Sequence, residues 1–254
     1  MNSSEQQLGF ILTNQWWEHL DHFTNQALAE DPSSSLAVAC KGFVCLRQGD
    51  AQAAQALFLN SLAIDPTDSV ARSGLFCFHF QEANFTEADD LLNGLLREFP
   101  EHEGVHIARC KLYAKFRDRA RATQAISEAL CLYPESEPIR SIELYHAYHG
   151  KDAAKTVELS TEILKISPEN ALAHLILGWD RLTAKEFDQA EYHLRTCMRI
   201  NPDENTARML QLLENTRDGN ASWKLGFWAY RRRISRLLFR KRFLLERLQM
   251  KWRR

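Results

Sequence analysis

Six of the seven prolines (Pro32, Pro66, Pro100, Pro134, Pro168 and Pro202) stand 34 residues apart, and only Pro138 lies off that lattice. A regular period of a few tens of residues marks a chain built from one repeated supersecondary unit. Proline lacks an N–H and pushes the residue before it out of the helical region, so it ends a helix and opens a corner. The segment ahead of each proline has helical periodicity, as in Ala54, Leu57, Phe58, Ser61, Leu62 and Ile64 before Asp65-Pro66. The lattice divides the chain into blocks 1–34, 35–68, 69–102, 103–136, 137–170 and 171–204. Within a block a first helix gives way near Gly49-Asp50, Ala83-Asn84, Gly150-Lys151 or Ala184-Lys185, and a second runs to the proline. The pattern predicts an all-α chain of helical hairpins.

Small residues recur where two helices of a hairpin must approach. The eighth slot of a block holds Gly42, Cys110 and Gly178; the twentieth holds Ala54, Ala88, Ala122 and Ala190; the twenty-seventh holds Ala27, Ser61, Ala129 and Cys197. Aromatics occupy the seventeenth slot as Trp17, Phe85 and Phe187. In these slots and in its proline period, the chain over 1–204 resembles the tetratricopeptide repeat family. The resemblance implies an α-solenoid of about six hairpins wound into a right-handed superhelix, with 1–216 as the solenoid and 205–216 as a capping helix. Residues 217–222 then read as a linker and 223–254 as a basic amphipathic tail. Departures are Leu8 beside Gly9 in block one, Phe76 and Leu95 in block three, and Leu144, Thr156 and Ile163 in block five. Terminal repeats are expected to be atypical; blocks three and five predict altered local packing.

In the resembled family the first helix of each block lines a concave groove that takes an extended peptide or a partner's helix. Carried onto this sequence, the groove slots are Phe43, Leu46 and Arg47; Phe80 and Gln81; Lys111 and Lys115; Tyr145, Tyr148 and His149; and Leu175, Trp179 and Leu182. This lining is mainly apolar and aromatic, with a basic spot in block four. Aromatic anchors are where binding free energy concentrates; a stripe of helical aromatics also packs between hairpins, so some of these serve as core. Repeats that clamp a chaperone's C-terminal carboxylate carry Lys and Asn at fixed groove slots. Here the ninth slots hold Phe43, Cys77, Lys111, Tyr145 and Trp179 with no Asn, which argues against that clamp.

The net charge of -1 conceals an asymmetry. Residues 223–254 hold 12 Lys/Arg against one acid, Glu246, which leaves 1–222 with 20 basic against 32 acidic residues. Apolar residues (Trp223, Phe227, Tyr230, Ile234, Leu237, Leu238, Leu244, Leu245, Leu248, Trp252) recur in steps of three and four, with Trp228, Phe239 and Phe243 widening the apolar side. Arg231, Arg232, Arg233, Arg236, Arg240, Arg242 and Arg247 surround them. An anionic membrane surface, a partner protein or the acidic body of this molecule, and nucleic acid are the three surfaces such a segment suits. The ordered apolar face favours the first two over nucleic acid.

No Gly-rich phosphate loop, G-x-S-x-G or H-E-x-x-H is present, so the chain reads as non-enzymatic and needing no cofactor. The pairs His102/His106 and His146/His149 could each put two imidazoles on one helix face, short of the three or four ligands a metal needs. Cys40, Cys45, Cys77, Cys110, Cys131 and Cys197 show no CxxC spacing and no secretory leader precedes them, which predicts reduced thiols and a cytoplasmic place, with the tail at the inner face of a membrane. No apolar run is long enough to span a bilayer. The expected role is a scaffold or adaptor; a chaperone for a secreted or pilus-type client is the alternative, and a nucleic-acid-associated adaptor the third.

Overall fold

The computed structural model describes residues 19–150 and 152–217. The tail residues 223–254, positions 218–222 of the linker, and Leu8, Gly9 and Trp17 of block one lie outside the described residues. All regular structure among the described residues is helical. The helices are α1 (Leu20–Glu30), α2 (Ser35–Gln48), α3 (Ala51–Ile64), α4 (Ser69–Gln81), α5 (Phe85–Glu98), α6 (Glu103–Lys115), α7 (Arg119–Leu132), α8 (Glu137–Gly150), α9 (Ala153–Ile166), α10 (Ala171–Thr183), α11 (Phe187–Ile200) and α12 (Glu204–Arg217). They fall into two compact units, 19–116 with α1–α6 and 117–217 with α7–α12. In each unit every helix packs against the next in sequence, the arrangement of stacked hairpins.

The corners follow from the prolines. Each lattice proline comes after the residue that closes a second helix: Asp31, Asp65, Phe99, Tyr133, Ser167 and Asn201, with φ between -127° and -143°. That is the extended region which a following proline ring imposes. Pro138 sits in the first turn of α8, where a backbone N–H has no intrahelical partner to lose. Two residues past each of the first five corner prolines a side chain caps the next helix, and after Pro202 the cap is Asp203, which accepts from Thr206 N. Ser34 Oγ accepts from Ala37 N, Asp68 from Val70 and Ala71 N, His102 Nδ1 from Gly104 N, Ser136 Oγ from Ile139 N, and Asn170 Oδ1 from Ala173 N. These caps satisfy amides that the first turn leaves open.

A second periodic tie was not visible as a motif. The fourth residue of four first helices is Arg72, His106, Arg140 or His174, and each reaches back to a corner carbonyl. Arg72 donates to Thr67 O (2.8 Å), Arg140 to Pro134 O (3.1 Å), and His106 and His174 place Nε2 2.7 and 2.9 Å from Pro100 O and Pro168 O.

Within blocks the turn between the two helices uses a left-handed residue: Gly49 (φ +92°), Ala83 (+63°), Arg117 (+58°) and Lys185 (+61°). Only the first is glycine. A side chain with a Cβ in this region costs about 1–2 kcal/mol, so three turns are held by the helices they join.

Close packing in the first unit centres on Phe58 of α3, which is fully buried. A Cβ built on Gly42 of α2 would lie 2.5 Å from its ring, and one on Gly74 of α4 would lie 2.2 Å from it. The ring therefore fills a slot formed by two glycines from successive hairpins. Block three has Phe76, itself fully buried, in the eighth slot, and its Gly74 opens toward Phe58 of the preceding hairpin. In the second unit Gly178 receives Leu194 of α11, with its notional Cβ 2.8 Å from Leu194 Cγ. Leu144, Thr156 and Ile163, the large residues of block five, are buried as well.

The helix after the last hairpin runs Glu204–Arg217 and buries Met209 and Leu213 against α11. Arg217, expected in the linker, is its last residue: the guanidinium donates to Asp188 (2.6 Å) and Glu191 (3.3 Å) of α11, which holds the final turn.

Candidate functional site

The groove slots lie on α2, α4 and α6 in the first unit and on α8 and α10 in the second. In the first unit, Phe43 packs edge-to-face on Phe58 (5.1 Å between centroids), and Phe80 lies 5.8 Å from Phe76. These contacts tie both phenyl rings to the packing around the glycine slot. Phe43, Leu46, Phe80 and Lys111 are buried, Arg47 is exposed, and Gln81 and Lys115 are half-buried. The Lys115 ammonium sits 4.1 Å above the Phe80 ring and 5.5 Å from that of Phe116, and it donates to the Phe80 carbonyl at the end of α4. Burial lowers its pKa, opposed by Glu82 nearby. A cation on an aromatic face, part-desolvated, is suited to an acidic group presented beside an apolar one.

In the second unit the rings gather on α8. The His149 ring lies 4.2 Å from Tyr145 and 5.4 Å from Tyr148, both edge-on. Trp179 holds, one repeat later on α10, the slot that Tyr145 holds on α8. Tyr148, His149 and Trp179 are half-buried and Tyr145 is buried. Leu175 is fully buried and Leu182 nearly so, and in this structure both serve packing. The exposed Arg47 and the half-buried Gln81, Lys115, Tyr148, His149 and Trp179 are the groove-slot side chains with accessible surface to offer.

A different concavity, which the sequence did not announce, is a groove of about 710 Å³ between α7, α8 and α9. Its origin shows by comparison within the chain. At the equivalent place in the first unit, Phe85 packs on Tyr113 (6.3 Å) and Phe116 (5.0 Å). The corresponding residues are Arg119, Ala147 and Gly150, too small or too thin to close the gap. Arg119 bridges it by donating to His149 O (2.7 Å). Thr123 gives its single hydroxyl proton to Arg119 O, so it accepts from His146, whose Nε2 is 3.0 Å away. That assignment makes the half-buried imidazole an Nε2–H tautomer. Burial, with Arg119 adding to it, lowers the pKa of His146.

Four further histidines act in capping and packing. His102 caps α6 and His106 ties to Pro100; burial lowers the pKa of His102. His174 and His193 face each other through Nδ1 atoms 2.9 Å apart, and His193 is pushed down to about 4 by burial, by His174 and by Arg181. Among the described residues no three His, Cys, Asp or Glu side chains are placed to hold a metal ion. Cys40, Cys45, Cys77 and Cys131 are free thiols; burial raises the thiol pKa values of Cys40 and Cys77, whereas Cys131 is exposed. Among the described residues no helix is long and apolar enough to cross a membrane.

Residues 46–115, which take in the third block and parts of the second and fourth, match a family model described as tetratricopeptide repeat. Over those residues the chain carries a tetratricopeptide repeat. Solved structures similar in fold include a chain of the APC/C hetero-tetramer Cut9–Hcn1, with TM-score 0.70 and 15% identity over 95% of this chain and 48% of that one. The tetratricopeptide chain thus spans about half the length of that relative. PilF of Pseudomonas aeruginosa is similar with TM-score 0.62 and 18% identity, covering 80% of this chain and 97% of PilF. PilW, described as a widely conserved type IV pilus biogenesis factor, gives TM-score 0.67 and 14% identity over 83% of this chain and all of PilW. A search of curated proteins found no match to this repeat protein.

Proposed function

We propose that this protein is a non-enzymatic scaffold or adaptor whose first-helix face binds a peptide or helix of a partner protein. Tetratricopeptide repeats act in protein–protein interaction. The observation that carries the reading is the ring cluster of Tyr145, Tyr148 and His149 on α8, with Trp179 in the equivalent slot on α10. Half-buried aromatics held rigidly by their neighbours lose little freedom on binding, which makes them good anchors. Random-peptide display on the immobilised full chain tests it. Selected peptides should lose affinity by roughly 30-fold on Trp179→Ala or Tyr148→Ala, the size of an anchor worth ~2 kcal/mol. Outer-face Glu158→Ala should leave them unchanged; peptides indifferent to both anchors would overturn the reading.

The basic segment 223–254 is proposed to tether the scaffold to an anionic membrane surface or to an assembly. Each Lys or Arg near an anionic leaflet contributes on the order of 1 kcal/mol, and the segment holds 12. Flotation with anionic liposomes at low salt checks this, with protein ending at Asn220 as the control. Full chain that stays at the bottom contradicts the tether, and salt-sensitive retention on RNA or DNA without flotation moves it to nucleic acid. A second reading, a chaperone for a secreted or pilus-type client, draws on the likeness in fold to PilW and PilF, whose lengths this chain spans almost entirely. Stoichiometric co-purification with one such client supports it.

A further inference from the structure

The second helices carry charge on their solvent faces, as with Glu87 and Asp90 on α5, Glu158 and Lys165 on α9, and Arg195 and Arg199 on α11. α3 is different. Its sequence, AQAAQALFLNSLAI, contains no ionisable side chain in 14 residues. Phe58, Ala54 and Ser61 face inward, while Gln52, Ala56, Leu59, Asn60 and Ala63 face solvent at helical spacing. Leu59 is 52% exposed and Ile64 at the helix end 42%. A surface helix whose outer side is as uncharged as its inner one leaves apolar area in water that burial would stabilise.

We propose that the outer face of α3 is a self-association surface, and that its occupant is α3 of a second copy of this chain. The argument is one of complementarity under two-fold symmetry. A two-fold axis sets identical patches against each other, so any net charge on a patch meets its own sign. The faces of α5, α9 and α11 bear such charges; that of α3 has none. With the axis at Ala56 and the helices antiparallel, Gln52 of each copy comes opposite Asn60 of the other, because both are four residues from the axis. Each amide has donors and an acceptor, so the two pairs satisfy one another. Ala56 and Ala63 project only a methyl group, letting the helices approach, and Leu59 covers the gap beside them. An Arg-rich partner such as residues 223–254 would find no carboxylate on this face. The helix is roughly 21 Å long, and a pair of this size covers much less than the ~800 Å² per partner of a standard interface. The association is therefore weak, with a Kd on the order of 100 µM.

Sedimentation velocity of the full chain from about 10 µM to about 1 mM, bracketing that constant, tests the proposal. The native chain should pass from monomer to dimer over this range. Ala56→Glu, at an exposed position, should raise the Kd at least about tenfold by placing two carboxylates on the axis, with an unchanged thermal melt. Ala56→Lys alone should behave in the same way, and an equimolar mixture of the two variants should dimerise at least as well as the native chain. A native chain monomeric throughout overturns the proposal. So does an Ala56→Glu variant that associates as the native chain does, which would assign self-association to another surface such as residues 223–254.

Discussion

Gly74→Ala puts the glycine slot around Phe58 to a quantitative test. Gly74 lies inside α4, where alanine is favoured over glycine by about 1 kcal/mol, so in open space the substitution stabilises. The space is not open: the new Cβ would sit 2.2, 2.4 and 2.5 Å from three ring carbons of Phe58, against an optimum of about 3.5–4.0 Å for carbon pairs. The ring has little room to retreat, because Gly42 approaches it so closely that a Cβ there would also lie 2.5 Å from it, and no part of Phe58 reaches solvent. Overpacking a filled core costs about 1–3 kcal/mol, and an overlap above 1 Å belongs at the upper end. The net expectation is a loss of about 1–2 kcal/mol after the helix gain is subtracted. Urea unfolding followed by circular dichroism should show a lower midpoint at an unchanged slope. Gly94→Ala in α5 is the opposing control, since nothing lies within 4 Å of its notional Cβ, and it should stabilise by up to about 1 kcal/mol. Phe58→Leu leaves room for the methyl group, so its combination with Gly74→Ala should cost at least about 1 kcal/mol less than the two singles together. Gly74→Ala raising stability as Gly94→Ala does would refute the reasoning.

Three further outcomes follow from the same geometry. Lys185→Gly and Ala83→Gly should each stabilise by about 0.5–1 kcal/mol, read as a higher Tm, because both residues hold left-handed φ values. Asp68→Ala should destabilise by about 2 kcal/mol in urea unfolding, since the buried carboxylate caps two amides of α4 and accepts from Ser61. His193 is held down to about 4 in the folded protein but titrates near 6.5 when unfolded. The unfolded chain therefore carries the extra proton between these values, and stability falls as pH drops from about 6.5 toward about 4. His193→Gln should flatten that part of the stability–pH curve.

The corners were legible because their cause is local. Proline acts on the residue before it whatever the rest of the chain does, and Asp31, Asp65, Phe99, Tyr133, Ser167 and Asn201 are extended for that reason. The small slots at Gly42 and Gly178 were legible as close approaches, but not the side chains filling them. Phe58 and Leu194 occupy a slot that also holds Leu92, Ile126 and Ser160, and only the register between hairpins makes the first two plugs. The opening of Gly74 toward Phe58 needed the same register. The left-handed turns at Ala83, Arg117 and Lys185 contain no glycine to announce them. The groove slots fall on first helices, yet exposure depends on neighbours: Phe43 rests on Phe58, whereas Trp179 keeps accessible surface. The groove beside Arg119 arises from residues missing at two slots, Ala147 and Gly150, a signal readable only when set against Tyr113 and Phe116.

The central claim is that the first-helix face of α8 and α10 grips a partner peptide and the outer faces of α9 and α11 do not. Photo-cross-linking tests it most directly: a benzophenone amino acid at position 148 or 179, and in parallel at 158 or 195, is irradiated with a display-selected peptide. The account predicts covalent peptide adducts at 148 and 179 with none above background at 158 and 195. Adducts confined to 158 and 195 would contradict it.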